Sequence, residues 1–131
     1  MKKSGLLNPQ ILSAIAEIGH TDYLVIADPG LPLPEGVKVI DISLVRGMPA
    51  FTDVLQAVTE EFVIESYTIA VEMPEASQGL YKQTEALLPG LPQKRVTHSD
   101  FKELTKKARA IIRTGETTAY ANVILTAGVN F

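Results

Sequence analysis

The sequence predicts one α/β domain, spanning residues 1–131, in which a largely parallel sheet is flanked by helices. Predicted strands alternate along the chain with predicted helices, as expected for α/β proteins. The run Tyr23–Ala27 (YLVIA) is apolar throughout, which is typical of a parallel strand buried on both faces. With 131 residues, 46% apolar and 21% charged, the chain has the length and balance of one globular domain.

The first helix is predicted from its two ends. Asn8 is a suitable N-cap and Pro9 suits the first helical position. An apolar stripe follows at helical spacing, formed by Ile11, Leu12, Ile15 and Ile18. Gly19 has the position of the left-handed C′ residue that closes many helices. His20 therefore belongs to a helix exit, immediately before the first strand.

The remaining segments continue the alternation. Further strands are predicted at 37–42, 67–71, 94–97, 110–113 and 122–126. A helix is expected after Gly47-Met48-Pro49, with an apolar face of Phe51, Val54, Leu55, Val58 and Phe62. Two more helices are expected at 75–88 and at 100–107, where Asp100 and Glu103 have the spacing of a capping box.

Composition excludes several classes of protein. The chain has no cysteine, so disulfides, thiolate nucleophiles and cysteine-based zinc sites are excluded. A net charge of −3, with both signs scattered, argues against a nucleic-acid surface and a polybasic membrane anchor. No run approaches the roughly 20 apolar residues of a membrane span, and Asn8-Pro9 interrupts the short apolar start. We expect a soluble, cytoplasmic protein without nucleic-acid or membrane partners.

Polar residues at the strand ends are candidates for a ligand site. Asp28 follows the first strand and His98 follows the fourth, and α/β sheets bind ligands beyond the carboxyl ends of their strands. His20 lies at the opposite end of the first strand from Asp28. A site shared between subunits could bring it to the others, but spacing alone does not show such a site.

Each candidate also has an ordinary structural explanation, which is the more common one for a single residue. A histidine after a helix often caps carbonyl groups, an aspartate before Pro-Gly starts turns, and His98 could simply begin a helix. Tyr120 and Asn122 would point to one face if Tyr120 begins the last strand, which would suit a polyol or an edge strand without a ligand. The turn from Arg113 to Glu116 could contact a ligand or a subunit, or it could simply be the turn that ends a strand.

Other chemistries lack their motifs. The sequence has no G-x-G-x-x-G, no G-K-[ST] and no G-x-S-x-G pattern. His20, Asp28 and His98 could in principle form a metal site with two histidines and one carboxylate, although nothing local resembles a metal motif. A metal-dependent hydrolase or isomerase therefore remains an alternative.

The chain resembles the D-ribose pyranase family in an ordered series of segments along its whole length. These segments are Met1-Lys2-Lys3, Leu7-Asn8, Gly19-His20-Thr21-Asp22, Ala27-Asp28, Gly30-Leu31-Pro32, Gly47-Met48-Pro49, His98 with Phe101-Lys102, Ile112-Arg113-Thr114-Gly115-Glu116, Tyr120-Ala121-Asn122 and Ala127-Gly128-Val129. Each segment alone is weak, whereas the ordered set is specific. Pro29 departs from the small residue expected beside Asp28, and the related fucose mutarotases are less similar in that loop.

The resemblance implies an activity and a set of residues. It implies a mutarotase of ribose catabolism that interconverts the pyranose and furanose forms of ribose, with His20 as its acid–base group. It implies that Asp28, His98, Tyr120, Ala121 and Asn122 bind the sugar. It also implies a ring-shaped homo-oligomer, a decamer, whose active sites lie at subunit contacts.

The implied reaction suits these residues. Opening a hemiacetal moves one proton from the anomeric hydroxyl and another to the ring oxygen, without redox change. We therefore expect no cofactor and no metal, and histidine exchanges protons near neutral pH. The alternatives are a sugar-binding or regulatory module without catalysis, and a fucose-type mutarotase.

Overall fold

The protein is built around a six-stranded sheet with helices on both faces, described for residues 1–131 by a computed structural model. In chain order the elements are α1 (Pro9–Glu17), β1 (Tyr23–Ala27), β2 (Lys38–Asp41), α2 (Phe51–Thr59), β3 (Ile64–Ala70), α3 (Glu72–Ala76), α4 (Gln78–Leu87), β4 (Gln93–Val96), α5 (His98–Thr105), β5 (Ala110–Arg113) and β6 (Val123–Ala127). None of the helices is long and apolar enough to cross a membrane.

The sheet has the order β2-β5-β1-β6-β3-β4. The pairs β2–β5, β1–β5 and β3–β4 are parallel, and β6 lies antiparallel between β1 and β3. The prediction of a largely parallel sheet is confirmed, with β6 the one reversed strand. We call the edge where β1 ends the carboxyl edge and the edge where β1 begins the amino edge. Because β6 is reversed, it begins at the carboxyl edge and ends at the amino edge.

Two apolar cores cover the two faces of the sheet. The larger lies beneath α1–α4 and includes Ile11, Phe51, Leu55, Met73 and Leu80 with alternate residues of the strands. The smaller lies beneath α5, where Phe101 packs on Val25, Ile111 and Ile124. Leu24 and Val25 are both fully buried, which confirms that β1 is covered on both faces.

Several predicted elements have different boundaries. The helix predicted at 75–88 is divided into α3 and α4 at Ser77, whose hydroxyl donates to the Ala119 carbonyl. The capping box predicted from Asp100 and Glu103 is wrong. The N-cap of α5 is Thr97, whose hydroxyl oxygen accepts the Asp100 N–H, so the helix begins at His98.

The predicted role of Gly19 as a left-handed C′ residue is also wrong. The chain leaves α1 through Ile18 in an extended conformation, so no left-handed residue is needed there. The positive φ falls two residues later, at Thr21, with a value of 69°. The Gly19 N–H instead donates to the Asp22 carboxylate.

Candidate functional site

Asp28 and Asn122 meet at the carboxyl edge because β1 ends where the reversed β6 begins. The Asp28 N–H donates to Asn122 Oδ1, and Asn122 Nδ2 donates to Asp28 Oδ2, both at 2.8 Å. Asp28 Oδ1 accepts the Gly30 N–H. Asn122 is buried, whereas Asp28 is partly exposed. Each oxygen of the Asp28 carboxylate can accept a further hydrogen bond, so Asp28 can bind a hydroxyl ligand while Asn122 holds it in place.

Tyr120 and His98 contact each other at the carboxyl edge. Tyr120 has a φ of 60°, unusual for a bulky residue, and its ring makes an edge-on contact with the His98 ring at 5.2 Å between centroids. His98 Nδ1 is buried without a hydrogen-bond partner in the chain. Non-glycine residues with positive φ often mark functional sites, and Thr21 and Tyr120 are the two in this chain.

The prediction that Tyr120 and Asn122 project from one face of a strand is wrong. β6 begins at Val123, and the left-handed turn at Tyr120 breaks the two-residue alternation before it. Ala121, predicted with them, is fully buried and packs in the larger core. Its methyl group therefore does not contact a ligand at the surface of the chain.

Arg113 and Glu116, left open from the sequence, support the loops of the carboxyl edge. Arg113 donates to the Asp41 carboxylate, the Ser43 hydroxyl and the Pro29 carbonyl. Hydrogen bonds from the Ser43 hydroxyl and N–H, and then Arg113, hold the pKa of Asp41 below its ordinary value against the effect of desolvation. This network fixes the loop that carries Pro29, next to Asp28.

Glu116 caps the N-terminus of α2, although it lies far from that helix in the sequence. The N-cap of α2, Ala50, has no side-chain hydrogen bond, and Glu116 Oε2 accepts the Phe51 N–H instead. Its other oxygen accepts the N–H groups of Thr117 and Thr118. Burial alone would raise the pKa of Glu116, but these hydrogen bonds outweigh it, and the pKa lies below the ordinary value. Glu116 thereby ties the segment leading to Tyr120 to α2.

His20 lies at the amino edge, exposed, in a turn closed by the Asp22 N–H to the Gly19 carbonyl. Thr21 is the third residue of that turn, where type II turns require a positive φ. His20 Nε2 lies 2.8 Å from Glu65 Oε2, near the start of β3. An open cavity of about 360 Å³ lies at the same edge, lined by Ile18, Phe62, Val63 and Val129 among others.

The single chain therefore divides the predicted site between two edges. Asp28, His98 and Tyr120–Asn122 are together at the carboxyl edge, and His20 is at the amino edge. The five residues of β1 separate the edges by about 16 Å at roughly 3.3 Å per residue. No group of three or more His, Asp or Glu side chains is placed to hold a metal ion, so the alternative metal site of His20, Asp28 and His98 is wrong within one chain.

Two glutamates near the site were not found from the sequence. Glu65 contacts His20 across 45 residues, and the carboxylate of Glu72 accepts the His98 N–H at the start of α5. Both depend on which strands become neighbours, for which the sequence carries no local signal.

Comparison with known proteins gives consistent results. Residues 1–130 match the RbsD / FucU transport protein family. A D-ribose pyranase from Bacillus cytotoxicus is 51% identical over 131 residues, covering 100% of both chains. A D-ribose pyranase from Geobacillus kaustophilus is 49% identical, covering 100% of this chain and 96% of its own.

Solved structures show the same fold. Bacillus subtilis RbsD complexed with D-ribose superposes with a TM-score of 0.97 and 47% identity, covering 100% of both chains. The fucose mutarotase from Streptococcus pneumoniae, in complex with L-fucose, has a TM-score of 0.78 and 26% identity, covering 95% of this chain and 94% of its own.

Proposed function

The chain belongs to the RbsD / FucU family, and on that premise we propose that it is a D-ribose pyranase, interconverting the pyranose and furanose forms of ribose. The observation that carries the proposal is the full-length identity, about one half, to proteins named D-ribose pyranase. Ribose is favoured over fucose because the ribose-bound relative is much more similar than the fucose-bound one. The resemblance inferred from the sequence segments is thus confirmed at the level of the family.

We assign the two halves of the site different tasks. Asp28, His98 and the Tyr120–Asn122 segment bind the sugar, because the carboxyl edge gathers a partly exposed carboxylate, a ring nitrogen and a phenol. His20 exchanges the proton, because its ring is exposed in a turn fixed by backbone hydrogen bonds. The placement of the two halves at opposite edges supports a site that a second subunit completes.

The proposed reaction needs one histidine and one water molecule. On opening, the anomeric O–H bond breaks and its proton passes to His20. The electrons form the carbonyl as the bond from C1 to the ring oxygen breaks, and water gives that oxygen a proton. On closing, a different hydroxyl adds to C1 and gives its proton to the hydroxide, while His20 returns its proton to the carbonyl oxygen. Protons balance, and no electrons enter or leave.

The assembly and location are further parts of the proposal. A ring-shaped homo-oligomer, a decamer, would place the amino edge of one subunit against the carboxyl edge of the next, since heterologous contacts close into rings. We also propose a cytoplasmic role in ribose catabolism. Light scattering on the purified protein and fractionation of cells would test these two statements separately.

Saturation-transfer NMR on ribose tests the activity itself. We expect the purified protein to accelerate exchange between the pyranose and furanose signals, and to accelerate fucose exchange much less. An unchanged ribose exchange rate would overturn the proposal. Calorimetry on the same samples separates a non-catalytic sugar-binding module, which would bind ribose without accelerating exchange.

A further inference from the structure

The contact between His20 and Glu65 indicates which ring nitrogen of His20 carries the proton and which one is free to accept a proton. Glu65 Oε2 lies 2.8 Å from His20 Nε2, within hydrogen-bond distance. A carboxylate accepts hydrogen bonds but donates none, so the proton of this contact belongs to Nε2. A neutral imidazole carries one proton, which leaves Nδ1 as the acceptor.

We propose that Glu65 is a positioning residue for His20: it holds the proton on Nε2, and Nδ1 exchanges the proton with the sugar. The inference rests on the proposed function and adds a residue to it. When Nδ1 accepts the anomeric proton, His20 becomes a cation, and the Glu65 carboxylate already faces its Nε2–H. The carboxylate thus orients the ring in its neutral form and stabilises the charge in its protonated form, as a carboxylate does beside other catalytic histidines.

Both partners are anchored to the same edge of the sheet. The Thr21 N–H donates to the Ala127 carbonyl at the end of β6, and β6 pairs with β3, which carries Glu65. The Asp22 carboxylate accepts the Gly19 N–H and also pairs with Arg109. The turn that carries His20 is therefore held on both sides, and Glu65 lies at the irregularity in the β3–β6 pairing, between the paired residues Ile64 and Ser66.

Because His20 and Glu65 are both exposed, an effect of Glu65 on the His20 ring can be measured separately from an effect on protein stability. The side chains of His20 and Glu65 are 52% and 41% exposed. Exposed ion pairs contribute little to folding, because water screens them and ordering two side chains opposes the gain. Removal of Glu65 should consequently leave the melting temperature unchanged while changing the tautomer of His20 and the rate of ribose exchange.

Nitrogen NMR reads the tautomer without reference to activity. The protein has two histidines, and a His98→Asn variant assigns their signals. At a pH where both rings are neutral, we expect the wild-type His20 to show a protonated Nε2 and an unprotonated Nδ1. In Glu65→Ala this preference should be lost, and in Glu65→Gln it should be partly kept, since the amide oxygen can still accept.

Exchange kinetics on the same variants complete the test. We expect Glu65→Ala to lower the ribose exchange rate at saturating sugar by about 10- to 100-fold, the loss typical when the carboxylate partner of a metal-binding histidine is removed. Ribose affinity should be unchanged, Glu65→Gln should recover part of the rate, and the exposed loop variant Glu35→Gln should behave as wild type.

Several outcomes would overturn the inference. A wild-type His20 protonated on Nδ1 would do so, as would a Glu65→Ala variant that keeps either the tautomer preference or the full rate. If Glu65→Ala fails to fold, the carboxylate is structural and the inference is wrong; Glu65→Gln is measured in either case. If wild-type protein fails to accelerate ribose exchange, the proposed function fails, while the nitrogen spectra still report on the His20–Glu65 contact.

Discussion

Asp28 and Asn122, 94 residues apart in the sequence, bind each other through two hydrogen bonds of 2.8 Å. One involves the backbone N–H of Asp28 and the other its carboxylate, so a single amide fixes both the main chain and the side chain at the end of β1. Asn122 is 1% exposed, and water therefore cannot replace it easily. The sugar-binding position proposed for Asp28 depends on this buried amide.

Replacing Asn122 by alanine should destabilise the protein and weaken sugar binding together. The partly buried Asp28 N–H would lose its acceptor, and the loss of one such hydrogen bond costs about 0.5–1.5 kcal/mol. Urea unfolding at a fixed protein concentration measures the loss, and calorimetry measures ribose affinity. Gln83→Ala, at an exposed position of α4, is the control. A loss no larger than that of the control would show that the amide does not brace Asp28.

Glu116→Gln should lower stability at neutral pH by about 1–2 kcal/mol, the range for losing a helix cap. A carboxylate accepts from Phe51, Thr117 and Thr118, whereas an amide would direct N–H groups towards some of these donors. Because folding lowers the pKa of Glu116 below 4.5, its contribution is complete above about pH 4.5 and is lost as the pH falls through the folded-state pKa.

The stability difference between wild type and Glu116→Gln should therefore shrink on acidification below about pH 4.5. Urea unfolding as a function of pH measures this difference. Glu35→Gln, in an exposed loop, should show no such dependence. A difference that stays constant, or grows in acid, would contradict the capping role.

The contrast between β1 and β6 shows what the sequence could predict. The apolar run of β1 predicted a strand buried on both faces, and the observed strand has the predicted boundaries. The prediction succeeded because a strand covered on both faces is apolar at every position. The run Val123–Ala127 is equally apolar, but nothing in it records that β6 is antiparallel. That reversal brings Asn122 beside Asp28, so the residues of the carboxyl edge were predictable and their hydrogen bonds were not.

In the His20 region, too, the local structure could be predicted from the sequence but the long-range contact could not. The histidine was placed correctly after α1 and before β1, on local signals alone. Its partner Glu65 is an ordinary exposed strand residue in the sequence, and only the pairing of β3 with β6 brings it near. The errors at α5 and Gly19 are smaller and local. Thr97, and not Asp100, caps α5, and the Gly19 N–H donates to the Asp22 carboxylate where a left-handed glycine was predicted.

Gly115→Ala should destabilise the carboxyl-edge loops. A Cβ at Gly115 would overlap the backbone of Met48 and Val45, which cannot move as a side-chain tip can. The Gly115 N–H and carbonyl also bind Pro49 and Gly47, so the two segments are held together on both sides. We expect a loss of about 1–3 kcal/mol, typical of overpacking, in urea unfolding.

Gly79→Ala is the opposite case and serves as the control for Gly115→Ala. Gly79 lies in α4, and a Cβ there would meet nothing within 4 Å. The substitution should raise stability by about 0.5–1 kcal/mol, since alanine favours the helix. If both glycine variants changed stability alike, the close approach at Gly115 would not be the cause.

His20→Ala should fold and bind ribose yet lose most of the exchange activity. His20 is exposed and outside both apolar cores, so the free energy of unfolding should change by no more than about 0.5 kcal/mol. Alanine neither donates nor accepts a proton, and the exchange rate should fall by about 10²–10⁴-fold. Calorimetry and saturation-transfer NMR give the two readouts. Unchanged kinetics would move the acid–base role to His98.

Mixing two inactive variants tests whether neighbouring subunits share the site. His20→Ala damages the amino edge and Asp28→Ala the carboxyl edge, and each homo-oligomer should accelerate ribose exchange very little. If each site combines one edge from each of two subunits, random co-refolding of equal amounts leaves about a quarter of the sites with both edges intact. Exchange activity should then return to about a quarter of the wild-type value in the mixture.

The controls decide how that mixture is interpreted. Native oligomers of the two variants, combined without refolding, should remain inactive because their subunits have not exchanged. A size tag on one variant shows by mass spectrometry whether mixed oligomers have formed. Mixed oligomers without recovered activity would mean that His20 and Asp28 do not act in one shared site. Since the edges lie about 16 Å apart along β1, at roughly 3.3 Å per residue, His20 would then act outside the sugar-binding site of the carboxyl edge.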